Sequence, residues 1–198
     1  MMRVAAVLNS PLVWDLMRNV LDRTYGLYRH RMDVIREWGV LGENSTLLDV
    51  GCGTGHYARI APGRYVGIDI DERYIRHARK KYPEPRFAFR CADLAVLATE
   101  DQRFDAVLAV DVLHHLQERV SLDVLRMCRR LTSGHVLSFE PVTEQANRVG
   151  KWIIQHDRGD YIRPEKDTIA LLKAGGLELL DVRTLALGPE RTLAALCR

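Results

Sequence analysis

The sequence lacks the features that mark membrane, secreted and nucleic-acid-binding proteins. No stretch approaches the roughly 20 consecutive apolar residues of a membrane-spanning helix. The apolar run over residues 1–8 is short for a secretion signal and has no cleavage pattern behind it. The formal net charge is only +3, and the cations are spread along the chain. We therefore expect a cytoplasmic protein with no membrane span and no nucleic-acid partner.

Cysteine is also scarce. The four cysteines lie far apart in apolar surroundings and show no Cys-x-x-Cys spacing: they are Cys52, Cys91, Cys128 and Cys197. This distribution argues against a disulfide framework and a zinc site, and it favours buried free thiols. With 198 residues and no shift in composition, the chain is predicted to form a single domain over residues 1–198.

The most informative stretch is a short apolar strand that runs into three glycines within five residues, from Leu47 to Gly55. A strand, a glycine loop and a helix start form a binding site for nucleotide-like ligands, because backbone N–H groups and the helix dipole point at the ligand. Glycine lets that backbone approach the ligand closely. By itself the loop indicates only this broad class of ligand.

Strands and helices alternate after this loop, which predicts an open α/β sheet wound on both faces. Four successive predicted strands carry an acid at or just beyond their C-terminal ends: Asp49, Asp69, Asp93 and Asp111. In a doubly wound sheet, ligands bind at that edge. Asp69 follows Gly51 by 18 residues, a spacing typical of a carboxylate that binds the hydroxyl groups of a ribose.

The flanking regions have their own patterns. Residues 1–43 are predicted to be helical, with Asn9-Ser10-Pro11 as an N-terminal cap and a second helix from about Leu27 to Trp38. A helix is predicted over 56–61, a fifth strand over 135–140, and another helix with Pro164 at its first position. Two β-like runs, 177–185 and 192–197, predict a C-terminal hairpin.

Together these features resemble the class I S-adenosylmethionine-dependent methyltransferases. Leu47 to Gly55 is similar to the first motif of that family, Gly67 to Ile70 to the second, and Cys91 to Leu94 to the third. Phe104 to Leu116 is similar to the fourth motif of the ubiquinone/menaquinone-type branch. The resemblance covers residues 44–140 well and the terminal hairpin less closely, and it is weak over 1–43 and 142–165.

The resemblance implies a Rossmann-like fold and a division of the chain. The expected fold is an α/β, doubly wound, mostly parallel seven-stranded sheet of order 3-2-1-4-5-7-6, with an antiparallel last strand and helices on both faces. The expected regions are an N-terminal helical cap (1–43), a cofactor-binding core (44–140), a substrate-facing insertion (141–165), and a final helix with the hairpin (166–198).

The resemblance also implies roles for the residues that match its motifs. Asp49 lies near the cofactor's amino group, Asp69 binds the ribose, and Asp93 binds the adenine amino group. Leu94 covers the adenine ring, and the backbone at 110–111 contacts the methionine end. The expected binding residues for S-adenosyl-L-methionine, and for its product S-adenosyl-L-homocysteine, are Asp49, Gly51, Cys52, Gly53, Asp69, Ile70, Asp93, Leu94, Val110 and Asp111.

Candidates for the chemistry follow the fourth strand. His114 and His115 lie at the ligand-binding edge, where a neutral imidazole suits a general base near pH 7. The alternative is that the pair only starts a helix. Substrate candidates come from the regions that match the family weakly, and a packing or solvated role is the alternative for each: Trp14, Tyr25, His156, Tyr161 and Arg163. We expect no metal.

Several alternatives stay open at this point. An NAD-dependent dehydrogenase shares the glycine loop and the ribose acid, but its loop has the form Gly-x-Gly-x-x-Gly, and here the third glycine comes one residue early. The favoured function is SN2 methyl transfer to an oxygen, nitrogen or carbon nucleophile of a small molecule, by a monomer or homodimer. The alternatives are a protein- or tRNA-modifying methyltransferase and a catalytically silent cofactor-binding subunit.

Overall fold

The computed structural model describes residues 10–97, 99, 102–145, 148, 150–151, 159–188 and 190–198. The helices with described bounds are α1 (Pro11–Tyr25), α2 (Leu27–Trp38), α3 (Glu72–Lys81), α4 (Leu94–Leu97), α5 (Glu118–Leu131) and α6 (Glu165–Ala174). The strands are β1 (Thr46–Val50), β2 (Arg64–Asp69), β3 (Phe87–Cys91), β4 (Phe104–Val110), β5 (Thr132–Pro141), β6 (Leu179–Leu187) and β7 (Glu190–Cys197).

The seven strands form one sheet in the order β3-β2-β1-β4-β5-β7-β6. Neighbouring strands from β3 to β5 pair in parallel, and β7 pairs antiparallel with both β5 and β6. The predicted fold is therefore confirmed, including the antiparallel last strand. Because helices cover both faces of a parallel sheet, its central strands are continuous apolar runs.

Alternate residues of each central strand face two separate cores. Leu47 and Leu108 lie in the core that contains α2 and α3. Leu48 and Val107, their sequence neighbours, lie in the core under α4, α5 and α6. This period of two residues buries both faces of the sheet. Because β1, β2, β4 and β5 pair in parallel, their C-terminal ends lie along one edge of the sheet. This is the edge where ligands bind in such folds.

Several boundaries differ from the predicted ones. The helix predicted over 56–61 is a single 3-10 turn, Ala58–Ile60, which ends before Pro62. Strand β5 starts at Thr132, directly after α5, because Thr132 already pairs with Phe104 of β4. Pro164 precedes α6 as its N-cap and is not its first helical residue. Both hairpin strands extend farther toward the turn than predicted.

The two N-terminal helices are joined by one residue. Gly26 has φ 66°, ends α1 and begins α2. The Asp22 carboxylate of α1 accepts the backbone N–H groups of Tyr28 and Arg29, at 3.0 and 2.9 Å, and so caps the first turn of α2.

In the part of the chain that the structure describes, no helix combines the length and apolar character needed to cross a membrane.

Candidate cofactor and acceptor sites

The glycine loop after β1 is packed closely against its neighbours. Gly51 has φ 69°, and a Cβ atom placed there would lie 2.8 Å from Cγ2 of Val112, in the segment after β4. The Cys52 N–H donates to the Ile68 carbonyl at 2.9 Å, which ties the loop to β2. Only glycine satisfies both the backbone angle and the space at position 51.

Asp69, at the end of β2, is held by this loop. One carboxylate oxygen accepts the Gly53 N–H at 2.9 Å, and the other accepts the Asp71 N–H at 2.8 Å. An ionised carboxylate accepts about four hydrogen bonds, so two further hydroxyl donors can be bound without breaking these two. The position and orientation of Asp69 suit a vicinal diol.

A pocket of about 240 Å³ opens where β1 and β4 end. We call it the strand-end pocket, and its lining residues are Arg18, Asp49, Gly51, Cys52, Tyr57, Val110 and Asp111. Five of these seven are predicted cofactor residues. Arg18, from α1, and Tyr57, from the loop after β1, are not among them.

The Asp49 carboxyl group is buried beside this pocket. Burial raises its pKa to about 7, although a hydrogen bond from Tyr65 and the positive charge of Arg18 oppose that rise. The Tyr65 hydroxyl donates to Asp49 Oδ2 at 2.5 Å. Asp49 therefore changes its charge close to neutral pH.

Asp111 forms the opposite wall of the pocket and has a strained backbone. Its φ is 56°, the only positive value among the described non-glycine residues. Arg31, which is 1% exposed, donates to Asp111 at 2.7 Å, to Glu190 at 2.5 Å and to Thr192 at 2.9 Å. This buried cation holds Asp111 in place and links α2 to the end of β4 and the start of β7.

The remaining predicted cofactor residues lie along the same edge, toward β3. Ile70 is 79% exposed beside Asp69. One Asp93 oxygen accepts the Ala95 N–H at 2.8 Å and so caps the short helix α4. Leu94 is packed in the core below, with 5% exposure. Asp93 and Leu94 therefore offer a carboxylate and backbone at this edge, and Ile70 offers an apolar surface.

His114 lies in the segment after β4 and pairs with Glu140 at the end of β5. The two side chains are both buried, with 2.9 Å between His114 Nδ1 and Glu140 Oε2. Glu140 also accepts the backbone N–H groups of Val112, Leu113 and His114, at 3.0, 2.8 and 3.2 Å. His115 is exposed, with its ring centroid 4.1 Å from that of His114.

A second cavity, of about 170 Å³, adjoins this pair, and we call it the His114 cavity. Its walls include His114, Glu140, Tyr161 and Arg163. The Tyr161 N–H donates to the His114 carbonyl at 2.9 Å. The Arg163 guanidinium donates to the carbonyls of Leu113 and Leu116, both at 2.9 Å. The structure thus brings a predicted base together with two predicted substrate residues, and Arg163 fixes the backbone that carries His114.

The other candidates are placed differently. Tyr25 is 43% exposed at the end of α1, packs beside Gly188 and lines neither pocket. Trp14 lies on α1, but its side chain is outside the described part of the structure, as is the whole of His156.

Among the described residues, no group of three His, Cys, Asp or Glu side chains is placed to hold a metal ion. Three of the free cysteines are buried, whereas Cys91 is exposed.

Known methyltransferases resemble this chain over part of its length. A methyltransferase domain model matches residues 48–138. The 27-O-demethylrifamycin SV methyltransferase of Amycolatopsis mediterranei is 34% identical over 127 residues, which are 54% of this chain and 47% of that relative. The ubiquinone biosynthesis O-methyltransferase of Coxiella burnetii is 27% identical over 154 residues, 69% of this chain and 64% of that one.

A probable S-adenosylmethionine-dependent methyltransferase of Mycolicibacterium smegmatis is 34% identical over 157 residues, 69% of this chain and 59% of that relative. A solved magnesium protoporphyrin IX methyltransferase from Synechocystis PCC 6803, with bound SAH, has the same fold with a TM-score of 0.64 at 19% identity. That likeness covers 86% of this chain and 82% of the other. The chain spans about half to two thirds of the length of the three curated relatives.

The residues of this site fit S-adenosylmethionine better than they fit a dinucleotide. Asp49 and Arg18, of opposite charge, line the same pocket and complement the ammonium and carboxylate groups of a methionine moiety. A dinucleotide would place its pyrophosphate at this loop, beside a carboxylate that repels it. The Asp69 carboxylate, fixed by the loop, is the complement of the ribose hydroxyls.

Two residues of the candidate site were missed from the sequence. Glu140 ends the fifth strand, so the rule that singled out acids at four strand ends would have found it if extended to β5. Arg18 had a weaker signal in the sequence, as a cation on the side of α1 opposite Leu12 and Leu16. In the structure these two leucines are 69% and 64% exposed. Only the packing of α1 over the glycine loop shows that Arg18 faces the pocket.

Proposed function

We propose that the chain is a methyltransferase that transfers a methyl group by SN2 to a hydroxyl group of a small molecule. The observation that carries the proposal is the buried His114–Glu140 pair, which lines the His114 cavity and follows Asp111 of the strand-end pocket by three residues at His114. An alcohol or phenol must lose a proton as it is methylated, so a positioned base is useful for this class of acceptor. Two of the curated relatives support oxygen as the acceptor atom, since one is named an O-methyltransferase and the other acts on a 27-O-demethyl compound.

The cofactor supplies a sulfonium-bound methyl group that is already a strong electrophile. The work of the chain is therefore to bind, orient and exclude water. Asp69 would hold the ribose, while Asp49 and Arg18 would hold the two charged groups of the methionine moiety. Val110 and Asp111, at the end of β4, would set the floor between this moiety and the acceptor.

The base follows from the hydrogen bonds of Glu140. Its carboxylate accepts three backbone N–H groups, so it is an acceptor toward the His114 ring as well. The proton of a neutral His114 then stays on Nδ1, and Nε2 carries the lone pair. In this proposal Nε2 takes the proton of the acceptor hydroxyl, and Glu140 stabilises the imidazolium that forms.

The charge of the chain supports a small acceptor over a nucleic acid. The chain carries a net charge of only +3, and its cations occur along the whole chain, which argues against a tRNA substrate. The absence of a nucleic-acid partner, a monomeric or homodimeric state and a cytoplasmic location are parts of the same proposal.

The test combines binding with transfer. Calorimetry with S-adenosylmethionine and with NAD should show binding of the former alone. A panel of catechols, phenols and matched amines should then give methylated product from hydroxyl acceptors, with the label of a methyl-labelled cofactor in the product. Binding without transfer to any acceptor would favour the catalytically silent subunit. Transfer to amines but not to hydroxyls would contradict the acceptor class proposed here.

A further inference from the structure

Helix α1 covers the strand-end pocket but is weakly embedded in the fold. None of its described side chains is buried. Leu12, Leu16 and Val20, four residues apart on one side, are 69%, 64% and 54% exposed. The opposite side carries Asp15 and Arg18, which are one turn apart and therefore project in the same direction. Among the described side chains of the first half of α1, Asp15 and Arg18 therefore make the contacts that fix its position.

Asp15 makes those contacts with two other elements. One carboxylate oxygen accepts a short hydrogen bond from the hydroxyl of Thr54, in the glycine loop. The other lies 2.7 Å from Lys81 Nζ and 3.1 Å from His77 Nε2, both on α3. Burial raises the pKa of Asp15, but the hydrogen bonds from Lys81 and Thr54 outweigh burial and hold it below its ordinary value. We call this set, Asp15 with Thr54, His77 and Lys81, the Asp15 latch.

The latch determines where Arg18 points. Arg18 lines the strand-end pocket together with Asp49, and its guanidinium lies 5.7 Å from the centroid of the Tyr28 ring. A rotation or lift of α1 would withdraw Arg18 from the pocket.

We propose that Asp15 is a positioning residue for the cofactor and that it acts through Arg18. When Asp15 separates from Thr54, His77 and Lys81, α1 can open for cofactor exchange. Gly26, at φ 66° between α1 and α2, is the point about which α1 turns. This inference deepens the proposed function and rests on it, since it assumes that the strand-end pocket binds the methionine moiety. It assigns a role to a residue that touches neither pocket.

Binding of S-adenosylhomocysteine, followed by calorimetry and by its dissociation rate, tests the latch without turnover. Asp15→Ala should weaken binding about tenfold, mainly through faster dissociation. Asp15→Asn keeps the size of the side chain and a partner for Thr54 but loses the charge, and it should fall between the wild type and Asp15→Ala. Leu16→Ala, on the exposed side of the same helix, is the matched control and should leave binding unchanged.

Limited trypsin digestion gives a second readout. Cleavage after Arg18 and Arg23 should be faster in Asp15→Ala than in wild type without any ligand. S-adenosylhomocysteine should protect these sites in wild type more than in the variant. Equal cleavage in the two proteins, together with affinity within about twofold, would overturn the proposal.

A double-mutant cycle tests the route through Arg18. If Asp15 acts by placing Arg18, then Asp15→Ala should change affinity by less than about twofold in an Arg18→Ala background. Fully additive effects would overturn this part of the inference. A wild-type protein that binds S-adenosylhomocysteine but methylates no acceptor would refute the proposed function and leave the latch standing. A wild type that does not bind it would refute both.

Discussion

The strand-end pocket and the His114 cavity lie on the same edge of the sheet but are built differently. The first is lined mostly by residues of two contiguous segments, the glycine loop after β1 and the end of β4, and Asp69 binds the same loop through the Gly53 N–H. The second is lined by residues from separate segments, with Glu140, Tyr161 and Arg163 around His114. A site built from contiguous segments depends on local sequence, whereas a site built from separate segments depends on the tertiary fold.

The difference predicts that the two sites fail in different ways. Damage at the strand-end pocket should change cofactor affinity, and damage at the His114 cavity should change turnover with cofactor saturating. Four substitutions probe this separation.

The largest effect is expected for His114→Ala. Loss of a general base costs about 10²–10⁴ in kcat, or roughly 3–5 kcal/mol of transition-state stabilisation. The affinity for S-adenosylmethionine should be unchanged. Steady-state kinetics at saturating cofactor measures the first quantity, and calorimetry the second. His115→Ala is the matched control, because His115 is the exposed member of the pair and should retain most activity. Full activity of His114→Ala would show that the acceptor needs no base at this position.

Asp69→Ala should produce the opposite result. It removes charge-assisted hydrogen bonds to the ribose, and the expected loss is about 1–3 kcal/mol in cofactor binding. Turnover at saturating cofactor should fall much less. Asp71→Ala is a useful comparison, since the side chain of Asp71 caps α3 and pairs with Arg73 but has no predicted cofactor role. If Asp69→Ala keeps wild-type affinity, Asp69 does not belong to the cofactor site.

The same contrast explains what the sequence could predict. The sheet order came from a family resemblance that rests on contiguous motifs, and five of the ten predicted cofactor residues line one pocket because they share two strand ends. Strand and helix ends were less accurate, as at Thr132, where pairing with β4 starts the fifth strand three residues before its predicted start at residue 135. Arg31 could not be found, since its partners Asp111 and Glu190 lie 80 and 159 residues away in the sequence. A buried ion pair over such distances has no local pattern.

A substitution within the glycine loop tests how far backbone geometry supports the strand-end pocket. In Gly51→Ala, the new Cβ would lie 2.8 Å from Val112 Cγ2 at a φ of 69°. Gly176→Ala is the matched control, because Gly176 has a φ of 86° with nothing within 4 Å of the added atom. Urea unfolding should show Gly51→Ala to be less stable than Gly176→Ala by about 1–2 kcal/mol, the part due to overpacking. Adding Val112→Ala should recover much of that difference. Equal stability of the two single variants would mean that the glycine loop shifts enough to accommodate the added Cβ atom without loss of stability.

The smallest effect expected is the pH dependence of cofactor binding through Asp49. Its folded pKa of about 7 lies above the ordinary pKa of an aspartate, about 3.9, so the folded chain holds this proton and loses stability as pH rises from about 4 to 7. A cofactor ammonium beside Asp49 prefers the ionised carboxylate, so binding below pH 7 must release the proton. Affinity for S-adenosylmethionine should therefore rise about fivefold between pH 6 and pH 7, below the range where an α-amino group titrates. Calorimetry in two buffers of different ionisation enthalpy would detect the released proton.

The control is Asp49→Asn, which should bind S-adenosylmethionine more weakly at pH 7 and lose the rise in affinity, because it has no charge to gain. A rise of equal size in the variant would assign the titration to another group and separate Asp49 from the ammonium.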